Sequence, residues 1–411
     1  MQRRLVWRRT LELASRFARR TEPLAQDGRP SLPEVTASSR RRRRVRGTGA
    51  VMVVVLVWLA WSIGGALSAP GADGTSVRLA QWARSHGLGW AVTAQEQVHH
   101  QLNPPAVGRT AVGPILTVPA ARPRLSRPTV AARPSPSHLA GHAPTPPQVQ
   151  AQQPAGIWQP LVSLHGEPAI QAAYLHPDPQ DPSYMVGVAW LDQKLVTLVL
   201  HPGYNVPGGS GWSQTSQVPP SQRDSLLATF NSGFKMVDSN GGYWQDGQSG
   251  APLRSGAASI VFYKDGHVDV VRWNGGNPGA DVAAVRQNLG LLLDHGILTA
   301  EVDNSTTSTW GNTVGNATYV WRTALGIRQD GSLVFVVGAS LSAHGLATIA
   351  RNVGAVRAIE LDINASWTNF ITYTHPGQGV AVPRMLTADE HPNPYRYLQP
   401  SARDFVAVLA R

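Results

Sequence analysis

With 411 residues the chain is too long for one ordinary domain and long enough for a sizeable core with appendages. A formal net charge of +11 would suggest a nucleic-acid partner, but the charge is segregated. Residues 1–46 hold 14 Arg against Glu12, Glu22, Asp27 and Glu34, whereas residues 156–411 hold 15 Lys plus Arg against 19 Asp plus Glu, so the globular part is mildly acidic and no nucleic-acid role is expected.

Taken in chain order, residues 2–20 have two readings. One is a basic amphipathic helix with Val6, Leu13, Ala14 and Phe17 on one side, lying on an anionic inner leaflet; the other is an Arg-rich tail that only enforces topology. Residues 21–39 read as unstructured. Gly47–Ala69 contains no charge and is dominated by Val, Leu, Ala and Trp, which at 1.5 Å per residue suffices for a hydrocarbon core of about 30 Å. This segment reads as one transmembrane helix in a single-pass membrane protein. A cleaved signal peptide, ending near the small residues Ala66, Ser68 and Ala69, is the competing reading, and the long preceding segment argues against it. Arg40–Arg44 and Arg46 abut its N-terminal end, so that end stays cytoplasmic and everything after Pro70 is extracytoplasmic. An exported domain with no Cys suggests a bacterial cell-surface protein.

Beyond the span, residues 70–102 read as a juxtamembrane helical segment, with helical spacing at Leu79, Trp82 and Ala83. Residues 103–155 carry 12 of the 32 Pro and read as a linker. At about 3.1 Å per residue in polyproline II it would reach roughly 160 Å, enough to hold a domain away from the membrane.

Residues 156–411 read as the globular domain. Strand-like runs are expected at Met185–Leu191, Leu195–His201, Ala257–Tyr263 and Val268–Trp273, the last two joined at Lys264-Asp265-Gly266. A helix is expected over Asp281–Leu293, a strand pair at Ala324–Ile327 and Leu333–Val337, and a second helix over His344–Val353, ended by Gly354. The strand that follows, within Ala355–Trp367, alternates Ile359, Leu361 and Ile363 with Glu360, Asp362 and Asn364. The succession from Leu333 to Ile363 reads as one crossover unit with Asp362 at the carboxyl end of a strand. With hairpins elsewhere, the expectation is an α+β fold: a mixed β-sheet with packed helices.

Three polar clusters carry chemistry. Asn231-Ser-Gly-Phe-Lys235 follows an apolar run and precedes the pair Gly241-Gly242, which lets the backbone turn and approach a ligand. Trp321-Arg322-Thr323 opens an apolar strand, and an Arg there needs an anion, either structural (Asp362 or Glu360) or a substrate phosphate. The third is the strand with Glu360, Asp362, Asn364, Ser366 and Trp367. Glu301 and Asp303 form a reserve carboxylate pair in a Thr-, Ser- and Asn-rich loop. The 13 His are dispersed, so neither a metal nor another cofactor is expected.

Asn231-Ser-Gly-Phe234, Pro252-Leu-Arg-Ser-Gly256, Arg322-Thr-Ala-Leu-Gly326 and Leu361-Asp362 with Ser366 resemble, in order and spacing, the motifs of the phosphodiester glycosidase family, over about Trp158 to Tyr373. The family pattern has a triple glycine after the Asp, where this chain has Ile363-Asn364-Ala365, and a second Phe where it has Lys235. The resemblance implies a hydrolase of sugar–phosphate diesters, acting here on a cell-wall or capsular polymer. Asp362 and Glu360 would be the catalytic carboxylates. Arg322 would hold phosphate, with Lys235 and Thr323 nearby; Asn231, Asn364 and Ser366 would hydrogen-bond sugar or phosphate, and Trp367 would stack on the sugar. The departures also fit a non-catalytic module on the same fold that binds carbohydrate or wall polymer, and a structural wall tether is a third reading.

Overall fold

The computed structural model describes residues 38–92, 94–95, 157–176, 185–303, 309–313 and 317–411, with side chains from Val51 onward. The readings for residues 2–20 and 103–155 lie outside the described residues. The chain divides into two units, residues 1–62 and 63–411. Helix α1 spans Ser38–Leu67, and its described side chains are charge-free and largely exposed, among them Val54, Leu56 and Trp61. Among the described residues no helix is long and apolar enough to cross a membrane.

In the second unit, helix α2 (Thr75–Ser85) is followed by β1 (Gln159–Leu164), β2 (Glu167–Leu175), β3 (Val186–Leu191), β4 (Val196–His201) and β5 (Leu226–Asn231). Next come β6 (Tyr243–Gln245), β7 (Gln248–Ala251), β8 (Ala258–Tyr263), β9 (Val268–Arg272), β10 (Val282–Gln287), β11 (Leu291–Asp294) and β12 (Ile297–Leu298). The chain continues through β13 (Val320–Arg328), β14 (Leu333–Leu341), helix α3 (Ala343–Asn352), β15 (Ala355–Glu360), β16 (Phe370–Gly377), β17 (Val380–Met385) and β18 (Phe405–Ala410). They form three sheets, in the orders β1-β2-β3-β14-β13-β15-β11-β12, β7-β6-β10-β8-β9 and β17-β16-β5-β18-β4.

The α+β class is as expected, with antiparallel ladders between the neighbouring strands. Because β13 pairs antiparallel with both β14 and β15, those two run parallel to each other with β13 between them. That is the crossover read from the sequence, carried by α3. Ser342 caps α3 by accepting from the Gly345 N–H at 3.0 Å, and Gly354, at φ +92°, takes the left-handed conformation that stops it. Leu346, Ala347, Ile349 and Ala350 of α3 are buried against Trp190, Val334 and Val336 on one face of the largest sheet. Each Leu or Ile so buried is worth about 1.5–3 kcal/mol. The other face meets the two smaller sheets in a core where Phe230, Phe335 and Phe370, one from each of β5, β14 and β16, lie with ring centroids 5.0–5.9 Å apart.

Two expectations are corrected. Residues 281–293 form no helix: Val282–Gln287 is β10 in the second sheet and Leu291–Asp294 is β11 in the first. Leu291, Leu292 and Leu293 are all buried, as in a strand covered on both faces, so the run shows no alternation and mimics helical spacing. The strand from Ala355 ends at Glu360, so Asp362 stands just beyond it in the loop to β16.

Candidate functional site

The loop 361–369 is built on its own polar side chains. Asp362 Oδ1 accepts the N–H groups of Ile363 at 2.8 Å and Asn364 at 2.9 Å, which bends the chain off the strand. Asn364 Oδ1 accepts the Ser366 N–H at 2.9 Å, and the Asn364 carbonyl accepts from the Trp367 and Thr368 N–H groups. Asp362 Oδ2 lies 2.7 Å from Arg403 Nη2. That contact is an ion pair without hydrogen-bond alignment, so one carboxylate oxygen is tied to the backbone and the other carries no hydrogen bond.

Beneath Asp362 sit Asn231 and Thr323. Thr323 Oγ1 accepts from Asn231 Nδ2 at 2.9 Å and from the Asp362 N–H at 3.2 Å, and Asn231 Oδ1 accepts the Asn369 N–H at 3.2 Å. Asn231, Thr323 and Asp362 therefore converge, without Arg322. Asn231 and Thr323 are buried, however, with the amide and hydroxyl already engaged, so they support the loop and do not present groups to a ligand.

Arg322 and Glu360 face the other way. Arg322 Nη1 lies 2.5 Å from Glu360 Oε1, and the guanidinium also donates to the carbonyls of Leu341 and Trp310. Glu360 has no exposed surface, and burial pushes its carboxyl up to about 7. The roles expected of these two, phosphate holder and second catalytic carboxylate, are corrected: they neutralise each other inside the fold. Trp367 is corrected as well. It is 4% exposed, with the guanidinium of Arg396 4.2 Å and that of Arg403 4.8 Å from its ring centroid, so the stacking place expected for a sugar is taken by cations.

Of the expected residues, Lys235, Asn364 and Ser366 are half-buried. The Lys235 ammonium is held below its ordinary range, first by partial burial and then by Arg403, with Asp238 and Asp362 acting in the opposite sense. Ile363 places its Cδ1 beside Gly311, where an added Cβ would come within 2.7 Å of it and 2.8 Å of the Phe234 ring. Gly241 and Gly242 do permit a close approach, but to the chain itself: added Cβ atoms would stand 2.4 Å from the Gln287 carbonyl oxygen and 2.6 Å from that of Pro252. The reserve pair is remote in kind, since Glu301 and Asp303 are exposed and Asp303 pairs with His344 at 2.7 Å.

The sequence reading missed Arg286, Asn288, Arg396, Arg403 and Asp404. Arg286 pairs with Asp404 at 2.6 Å and donates to the Phe234 carbonyl, so it fixes the Asn231–Phe234 turn from behind. Asn288 accepts the Phe234 N–H at 3.2 Å and donates to the Leu361 carbonyl at 3.0 Å, joining the first polar cluster to the Asp362 loop. A signal existed. Arg286-Gln287-Asn288 interrupts two apolar runs, and Arg403-Asp404 opens an apolar strand as Arg322 does.

Residues 224–386 match the phosphodiester glycosidase family. No curated protein matches the chain in sequence. Among solved structures, the catalytic domain of zebrafish N-acetylglucosamine-1-phosphodiester alpha-N-acetylglucosaminidase, auto-inhibited by pro-peptide, is similar at 17% identity and TM-score 0.40, over 64% of this chain and 92% of that one. A hypothetical protein from Synechocystis is similar at 12% identity and TM-score 0.33, over 64% of this chain and 65% of that one.

Proposed function

We propose that this chain, whose residues 224–386 are a phosphodiester glycosidase domain, hydrolyses a sugar–phosphodiester linkage with Asp362 as the reacting carboxylate. The observation that carries the reading is the state of that carboxylate: it is buried, Oδ1 is fixed by two backbone N–H groups, and Oδ2 faces Arg403 Nη2 at 2.7 Å without an aligned hydrogen bond. In the reaction, Asp362 activates the water that attacks the anomeric carbon. The bond from that carbon to the phosphate oxygen breaks, and the phosphate leaves as a monoester whose added charge is met by Lys235 and Arg403. Arg322 is replaced in this role because its guanidinium is spent on Glu360. The half-buried groups Asn364 and Ser366 supply polar contacts to sugar or phosphate. A cell-wall or capsular polymer as substrate, and an extracytoplasmic position behind a single span over residues 47–69, belong to the same proposal. The span is motivated by the sequence alone, the charge-free run over residues 47–69.

The test is release of free sugar from a panel of sugar-1-phosphodiesters by the full chain. Asp362→Asn is expected to lower kcat by about a thousandfold, and Lys235→Met to raise KM while the fold is kept. Turnover that is the same in parent and Asp362→Asn would overturn the assignment. Saturable polymer binding with no turnover in the parent would favour the non-catalytic module, a reading motivated by Ile363-Asn364-Ala365.

A further inference from the structure

The stretch between α1 and α2 lies against the domain. Tyr204 Oη donates to the Pro70 carbonyl at 3.0 Å, and Asn393 Nδ2 donates to that of Ala72 at 3.3 Å. At Gly71, φ +114°, an added Cβ would stand 2.3 Å from the Pro400 carbonyl oxygen, so only glycine passes there. Arg78 of α2 donates to the Gly71 carbonyl at 2.6 Å and closes the turn from within. What this turn delivers to the domain is Asp73, whose Oδ1 accepts from Arg396 Nη2 at 3.0 Å; the two side chains are 15% and 3% exposed.

We propose that Asp73 is a positioning residue for the Asp362 site, acting through Arg396. The Arg396 guanidinium lies over the Trp367 ring, and its Nη1 donates to the Ser366 carbonyl at 2.8 Å. Ser366 and Trp367 are in turn closed onto Asn364, whose N–H is held by Asp362 Oδ1. Four linked contacts therefore run from Asp73 along the 361–369 loop to the carboxylate. A guanidinium buried to this degree requires a counter-charge, and Asp73 is its ion-pair partner among the described residues. Without it, Arg396 loses one anchor, and the Ser366–Trp367 end of the loop gains freedom that reaches Asp362. Asp73 and Arg396 both lie outside the stretch matched by the family.

Where it concerns turnover the inference rests on the proposed hydrolase reading, so the experiment has one readout that does not. In the full chain, Asp73→Asn is expected to raise amide exchange in residues 362–367 by about tenfold while exchange in β5 and β18 stays at the parent level. On a sugar-1-phosphodiester the same variant is expected to lose about 10- to 100-fold in kcat with little change in KM, and Asp73→Glu to restore most of it. Arg396→Lys, which keeps the charge and loses the planar contact with Trp367, should reproduce the exchange pattern if Asp73→Asn does not fold. Unchanged exchange at 362–367, or a rise shared by β5 and β18, would overturn the proposal. A parent chain without turnover would remove the hydrolase reading and leave the exchange readout to decide this one.

Discussion

Arg286 and Asp404 show what a single residue contributes under the site. Their side chains are 1% and 0% exposed, and Ser232 Oγ also donates to Asp404. Removing the carboxylate alone leaves a guanidinium in a dry interior, which costs about 3–5 kcal/mol, whereas two apolar residues of similar volume do not carry that penalty. Asp404→Leu is therefore expected to lower the urea-unfolding free energy by about 3–5 kcal/mol, and Arg286→Met/Asp404→Leu by less than the single change. A double variant as unstable as the single one would show that Arg286 matters through its bonds to the Gln287 and Phe234 carbonyls, not through its charge. The same scale shows what the sequence conveyed. An Arg entering an apolar strand implied an anionic partner, and Arg322 has one in Glu360. The pairing of Arg403 with Asp362 was illegible because nothing local links two residues brought together only by the packing of β18 on β5 and by the loop after β15.

At the scale of elements, hairpins and the α3 crossover were legible because turn residues and apolar periods are local. The failure over 281–293 came where a strand changes sheets: β10 and β11 lie in different sheets, and the polar residues between them do the joining. The junction of β4 and β18 carries a pH-dependent element. His201, on β4, is fully buried, stacks on Phe405 of β18 at 4.7 Å, and donates from Nδ1 to the Thr215 carbonyl at 2.8 Å, leaving Nε2 without a partner. Burial lowers its pKa from 6.5 to about 4. The folded state thus keeps His201 neutral where the unfolded chain binds a proton, so its contribution is present above pH 6.5 and lost as the pH falls from 6.5 toward 4. Glu390, raised from 4.5 to about 8 by burial, has the opposite sense: its contribution is full below pH 4.5 and lost as the pH rises to 8. Denaturant unfolding measured from pH 4 to 8 should show His201→Leu flattening the acid side by about one proton, with the alkaline side unchanged. Parallel profiles for parent and variant would mean that His201 titrates normally in the fold.

For the whole molecule, the contacts of Pro70–Asp73 show that the segment after α1 belongs to the domain. Read from the sequence, residues 103–155 are a spacer between a membrane anchor and a distant domain. The structure bonds Pro70, Ala72 and Asp73 to the domain at Tyr204, Asn393 and Arg396, so this segment is attached before residue 103 is reached. The part of α1 from Gly47 to Leu67 is free of charge and, at 1.5 Å per residue, runs about 30 Å. On the proposed reading the Arg-rich residues before it would add a second attraction to anionic lipid, one that salt screens within about 10 Å at 0.1 M. The two contributions separate in fractionation of cells that produce the full chain. A spanning helix predicts that the protein stays in the membrane pellet through a 1 M salt wash and moves to the supernatant when residues 47–69 are deleted. Release of the full chain by salt alone would show that residues 1–46 hold it by charge, and the span would be withdrawn.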